Sequence, residues 1–71
     1  MKDYLIIIEK APRNYSAYCP DLPGCITTAR TIKQTELMMR EAISLHIGFM
    51  REQGEVVPLP TAVGAVVRVN A

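Results

Sequence analysis

Tyr18-Cys19-Pro20-Asp21-Leu22-Pro23-Gly24-Cys25 reads as a stiff corner between two extended runs. Its two prolines fix φ near −65° and remove two backbone donors. Each also pushes the residue before it, Cys19 and Leu22, towards extended backbone. Gly24 can take a positive φ that Cys25 cannot adopt cheaply. Leu22 is the only large apolar side chain at the centre of the corner. Asp21 has two readings: it caps the turn through nearby backbone amides, or it faces a partner together with Tyr18 and Leu22.

Outward from the corner, Tyr15-Ser16-Ala17-Tyr18 precedes it as a strand and Cys25-Ile26-Thr27-Thr28 follows as another. Lys10-Ala11-Pro12-Arg13-Asn14 is polar and carries Pro and Asn, so it is a hairpin-type turn. Before it, Met1 to Glu9 reads as a first strand, centred on Tyr4-Leu5-Ile6-Ile7-Ile8. That run does not alternate with polar residues, and a continuous apolar run requires cover on both faces. The three strands lie close enough in sequence to form an antiparallel meander.

Thr31 then opens a helix, with Gln34 at the capping-box spacing. The helix runs from Ile32 to Gln53, where Gly54 supplies the stop. Ile32, Met39, Ile43, His46 and Met50 line one face, widened by Ala42, Phe49, Met38 and Leu45 on one side and Ile47 on the other. This apolar arc spans roughly 200°, twice the stripe that one core contact needs. Glu55 to Ala62, with Pro58 and Pro60, is a connecting loop, and the β-branched run Val63 to Val69 reads as a fourth strand. The expected fold is α+β, a two-layer βββαβ domain over residues 1–71 with no separate DNA-binding module. One helix covers one face of a small sheet. The first strand and the wide helix arc therefore both call for self-association, as a dimer or tetramer, with Ile6, Ile8, Met38 and Leu45 at the interface.

Composition narrows the function. A chain of 71 residues makes one small domain, marginal in stability unless something adds burial. Eight Lys and Arg against seven Asp and Glu leave a net charge of +1, without the basic patch of a nucleic-acid binder. Cys19 and Cys25 are too few for a disulfide scaffold and match no zinc spacing. The longest apolar run near the start, Tyr4 to Ile8, is far short of a membrane span, so the expected compartment is the cytoplasm.

No catalytic constellation emerges. A metal-dependent nuclease of the ribonuclease H type needs carboxylates on the first strand and the helix. Here the strand centre is Leu5 to Ile8, Asp3 and Glu9 sit at its ends, and Glu36 and Glu41 lie on or near the polar helix face. His46 sits on the apolar face without a second ligand or acid–base partner in the sequence, which makes it a core or interface histidine. The two cysteines flank the corner with no base at fixed spacing and read as reduced, packed thiols. Met38, Met39 and Met50 read as core or interface filler. The expectation is a protein without enzymatic activity, metal or cofactor.

The corner, the helix and the loop after it together resemble the HicB-like antitoxin family. The matching positions are Pro20-Asp21-Leu22-Pro23-Gly24-Cys25 with Tyr18 before them, the capping Thr31, Glu41-Ala42, Gly54 and Pro58. The resemblance implies a truncated ribonuclease H-like fold and a prokaryotic antitoxin. Such a protein binds a small HicA-type, mRNA-targeting toxin and covers its active site. The chain departs from the family pattern at Ala29-Arg30, where Gly-Asp is usual. It departs again at Ile32-Lys33-Gln34-Thr35, where the first helical turn is usually acidic, and at Arg13-Asn14 in the first hairpin. The alternative reading is a stand-alone oligomeric structural or regulatory module that has lost its toxin.

Overall fold

The computed structural model describes residues 1–71. Three strands precede one helix: β1 (Ile7–Lys10), β2 (Tyr15–Tyr18), β3 (Ile26–Ala29) and α1 (Ile32–Glu52). The strands form an antiparallel sheet in the order β1-β2-β3, so the meander forms as expected. Ile8 pairs with Ala17, and Ala17 with Thr27. Side chains alternate along a strand, so this row shares one face. Ala17 is buried and Ile8 packs against the core, so this is the face under α1. The next row, Ile7, Tyr18 and Ile26, lies on the opposite face.

The helix is stopped at both ends by its sequence. Thr31 has extended backbone, and its hydroxyl accepts from the Gln34 N–H at 3.0 Å. At the other end Gly54 takes φ 71°. Glu55 N–H reaches Met50 C=O at 2.9 Å and Gly54 N–H reaches Arg51 C=O at 3.1 Å, the paired bonds of a Schellman stop. The core is small: Ala17, Cys19, Leu22, Cys25 and Met39, with Tyr4, Ile6, Ile8, Ala42, Ile43, Ile47 and Met50 packed around them. Buried Thr35 joins them; its hydroxyl donates to Thr31 C=O at 2.7 Å, which satisfies the polar atom inside the helix.

Two expectations need correction. The first strand is shorter than its apolar run, because only Ile7–Lys10 finds a ladder partner on β2. Tyr4 and Ile6 still pack on the core. The fourth strand does not form. Val63, Val66, Val67 and Val69 are exposed, and none of the backbone–backbone hydrogen bonds involves a residue beyond Glu55. β-Branched residues favour extended backbone, but a strand also needs a neighbour to pair with. Here the segment leaves the sheet as an arm. The longest dimension is 47 Å against 25 and 19 Å, and the radius of gyration is 13.7 Å. A compact chain of this length has about 11 Å.

Candidate functional site

The corner consists of two consecutive turns. Leu22 N–H bonds Cys19 C=O at 3.1 Å around Pro20-Asp21, and Cys25 N–H bonds Leu22 C=O at 3.1 Å around Pro23-Gly24. Each turn has proline at its second position, where a fixed φ is needed. Gly24 supplies the positive φ, 85°, that the third position of the second turn requires. Cys19 N–H then bonds Cys25 C=O at 3.3 Å and closes the loop. Leu22, at 1% exposure, is the plug beneath it. That burial leaves almost none of its side chain at the surface of the isolated chain. Tyr18 is exposed on the outer sheet face and remains available.

Asp21 does something the sequence did not announce. Its carboxylate accepts from Thr61 N–H at 3.1 Å, Thr61 hydroxyl at 2.9 Å and Ala62 N–H at 3.1 Å. These donors stabilise the charged form and hold the Asp21 carboxyl below its ordinary range; the Ala62 N–H contributes most, and partial desolvation opposes it. Tyr4 adds a second tie, its hydroxyl donating to Pro58 C=O at 2.6 Å. The loop after α1 is thus fastened at two points just before the arm begins. The contacts of Thr61 and Pro58 were not legible in the sequence, because their partners lie 40 and 54 residues away.

Around this corner lie three apolar surfaces. The first is the outer row Ile7, Tyr18 and Ile26, with Ile26 70% exposed. The second runs along the helix edge through Met38, Leu45 and Phe49, with Leu45 75% exposed. The third is an open groove of about 1080 Å³ between β1 and α1. Its apolar lining comes from Ile6, Ile8, Met39, Ile43 and Ile47, beside the charged Lys2, Asp3, Glu36, Arg40 and Arg51. The helix lies over β2 and β3 and leaves the β1 side uncovered. The four residues expected at a self-association interface therefore divide. Met38 and Leu45 are exposed, whereas Ile6 and Ile8 face the helix and are reached only through the groove. The helix-free side of β1 carries Ile7 and Glu9 instead.

The groups considered for chemistry are not assembled into a centre. No three His, Cys, Asp or Glu side chains come within reach of one metal ion. His46 is half-buried on α1. Cys19 and Cys25 are free thiols in the core, and burial, with a smaller contribution from Cys19, pushes the Cys25 thiol up, away from the nucleophilic thiolate. No helix is long and apolar enough to cross a membrane.

Comparison with known proteins places this architecture. A family model described as the HicB_like antitoxin of bacterial toxin-antitoxin system matches residues 4–70. The chain is 32% identical over 62 residues to UPF0150 protein Ta0767 of Thermoplasma acidophilum, covering 87% of this chain and 90% of that protein. It is 42% identical over 55 residues to an uncharacterized 14.9 kDa protein in the rep-hol intergenic region of Haemophilus phage HP1. That match covers 78% of this chain and 41% of the longer phage protein.

Proposed function

The chain belongs to the HicB-like antitoxin family, and we propose that it binds and neutralises a small HicA-type toxin by covering the toxin's mRNA-processing site. The family match over residues 4–70 carries this reading. Neutralisation by cover needs complementary surface and no reaction, and the outer row beside the corner, half-buried Ile7 with exposed Tyr18 and Ile26, is suited to it. Tyr18 is the central anchor, since a half-exposed tyrosine offers apolar area and a hydrogen-bonding tip. Asp21 contributes through the loop it holds. The antitoxin acts without catalysis, metal or cofactor, in the cytoplasm where the toxin meets mRNA. It self-associates and does not bind nucleic acid directly.

The test is co-expression with a HicA-type toxin from the adjacent reading frame. Growth rescue, co-purification and protection of mRNA in vitro are expected, with all three weakened by Tyr18→Ala. A toxin that stays active and unbound in excess of this protein overturns the proposal. A second reading, a solitary oligomeric module without a toxin, is favoured by one observation: the first turn of α1 holds no acidic residue to meet a basic partner. Absence of a small basic neighbour gene, together with a stable homo-oligomer, would select it.

A further inference from the structure

We infer that the arm Ala65–Val69 is the missing fourth strand of a second copy: it adds to the free edge of β1 in that copy, beside the β1–α1 groove, and the exchange is reciprocal. The inference deepens the self-association proposed above and specifies how it occurs.

Four observations point to one occupant. The outer edge of β1 has no neighbour, because β1 ends the sheet. An unpaired edge offers its N–H and C=O groups to any extended segment. Beside that edge the groove leaves Ile6, Ile8, Ile43 and Ile47 partly uncovered. The arm is apolar, β-branched and without a partner of its own, and Val66 is 102% exposed. Its base is tied to its own body at Thr61 and Ala62, and Gly64 lies beside Leu5, whose Cδ1 is 3.2 Å from where a Gly64 Cβ would sit. Beyond that point every residue of the arm is exposed.

Side-chain parity then selects the pairing. Ala65, Val67 and Val69 share one face of an extended arm, and Val66 and Arg68 share the other. Seating the first set over the apolar groove puts Val66 and Arg68 on the side of β1 that carries Ile7 and Glu9. In parallel alignment Val66 neighbours Ile7 and Arg68 neighbours Glu9, which are both favourable pairs. Antiparallel alignment sets Val66 beside Glu9 and Arg68 beside Ile7, which are not. Five extended residues span about 16 Å, enough to follow a four-residue strand from end to end. The sheet has two free edges, β1 and β3, but the groove lies beside β1; with one arm and one β1 edge per copy, a reciprocal exchange closes as a two-fold dimer.

The experiment uses the full chain. Light scattering over a dilution series should give twice the 7.9 kDa chain mass. Val66→Pro and Val67→Pro are made in parallel, since one of them removes a ladder donor whichever way the strand is phased. At least one should yield a monomer of unchanged helix content, because the arm lies outside the core. Leu45→Glu should remain a dimer. An oxidised mixture of an E9C copy with an R68C copy should show, by peptide mapping, a bridge between positions 9 and 68 across copies. A dimer indifferent to both prolines but broken by Leu45→Glu, or lacking the 9–68 bridge, overturns strand exchange while leaving self-association intact. A bridge formed only within single chains of an E9C/R68C double variant shows the arm folding back and overturns it too. A monomer at every concentration overturns both readings.

Discussion

The Asp21 carboxylate and the Thr61 hydroxyl meet at 2.9 Å across 40 residues of chain, and this contact joins the corner to the base of the C-terminal arm. With the two backbone donors at Thr61 and Ala62, it makes one surface aspartate, beside the Tyr4–Pro58 tie, a fastening for the segment after α1. Asn at this position keeps the size but loses the charge and one acceptor oxygen. Asp21→Asn should therefore speed hydrogen exchange at the Thr61 and Ala62 amides and expose the loop to proteases, while the helix amides stay protected. Unchanged exchange at both amides would show that Asp21 does not hold the arm.

The same contact sets a pH dependence. The Asp21 carboxyl is held below its ordinary value in the folded chain, first by the Ala62 N–H. A depressed folded value means the contribution is fully present above the unfolded pKa, about 3.9. It is lost as pH falls below that, through the folded value. Amide exchange or nuclear magnetic resonance between pH 6 and pH 2 should show Thr61 and Ala62 loosening only at the acid end. Loosening that begins near pH 6 would assign the transition to a different group.

Two glycines should respond in opposite directions to alanine. Neither Gly24 nor Gly48 has an atom within 4 Å of a new Cβ, so space does not distinguish them. Gly24 sits at φ 85°, which costs an L-residue about 1–2 kcal/mol. Gly48 lies inside α1, where alanine is better than glycine by about 1 kcal/mol. Urea titration should find Gly24→Ala destabilised and Gly48→Ala stabilised. Equal shifts would remove the conformational explanation of the corner.

These cases mark what was legible in the amino-acid string. The corner, the hairpins and the helix limits are local chemistry: Pro20, Pro23, Gly24, Thr31 and Gly54 act on their own neighbours, so their positions sufficed. The parity of β1 was not legible. A continuous run from Tyr4 to Ile8 gives no alternation, so which residues face the helix depended on the pairing of Ile8 with Ala17. Thr35 was missed because a threonine in a first turn looks solvent-facing until its hydroxyl is seen bonded to Thr31 C=O. The fastening by Asp21 needs a partner 40 residues away, beyond any local pattern. The arm was misread as a fourth strand because composition reports extended backbone and says nothing of whether a free edge is within reach.

Met39 and Leu45 share one helix but differ sharply in burial, 0% and 75% exposed. Met39 is the helix residue that meets Ala17, Cys19, Leu22 and Cys25 in the core. Truncating a buried methionine to alanine costs about 2–5 kcal/mol, from lost transfer energy plus the cavity left behind. A domain of this size has about 4–10 kcal/mol in total at the usual stability per residue. Met39→Ala should therefore lose between a fifth and all of the stability, read as a large fall in the urea midpoint at constant slope. Leu45→Ala removes only exposed surface and should change stability by no more than about 0.5 kcal/mol. It should also leave a strand-exchanged dimer intact, since Leu45 lies on the helix edge rather than in the apolar lining of the groove. Comparable losses for the two variants would mean that the outer helix edge is buried in the working protein, against a partner seated on Met38, Leu45 and Phe49.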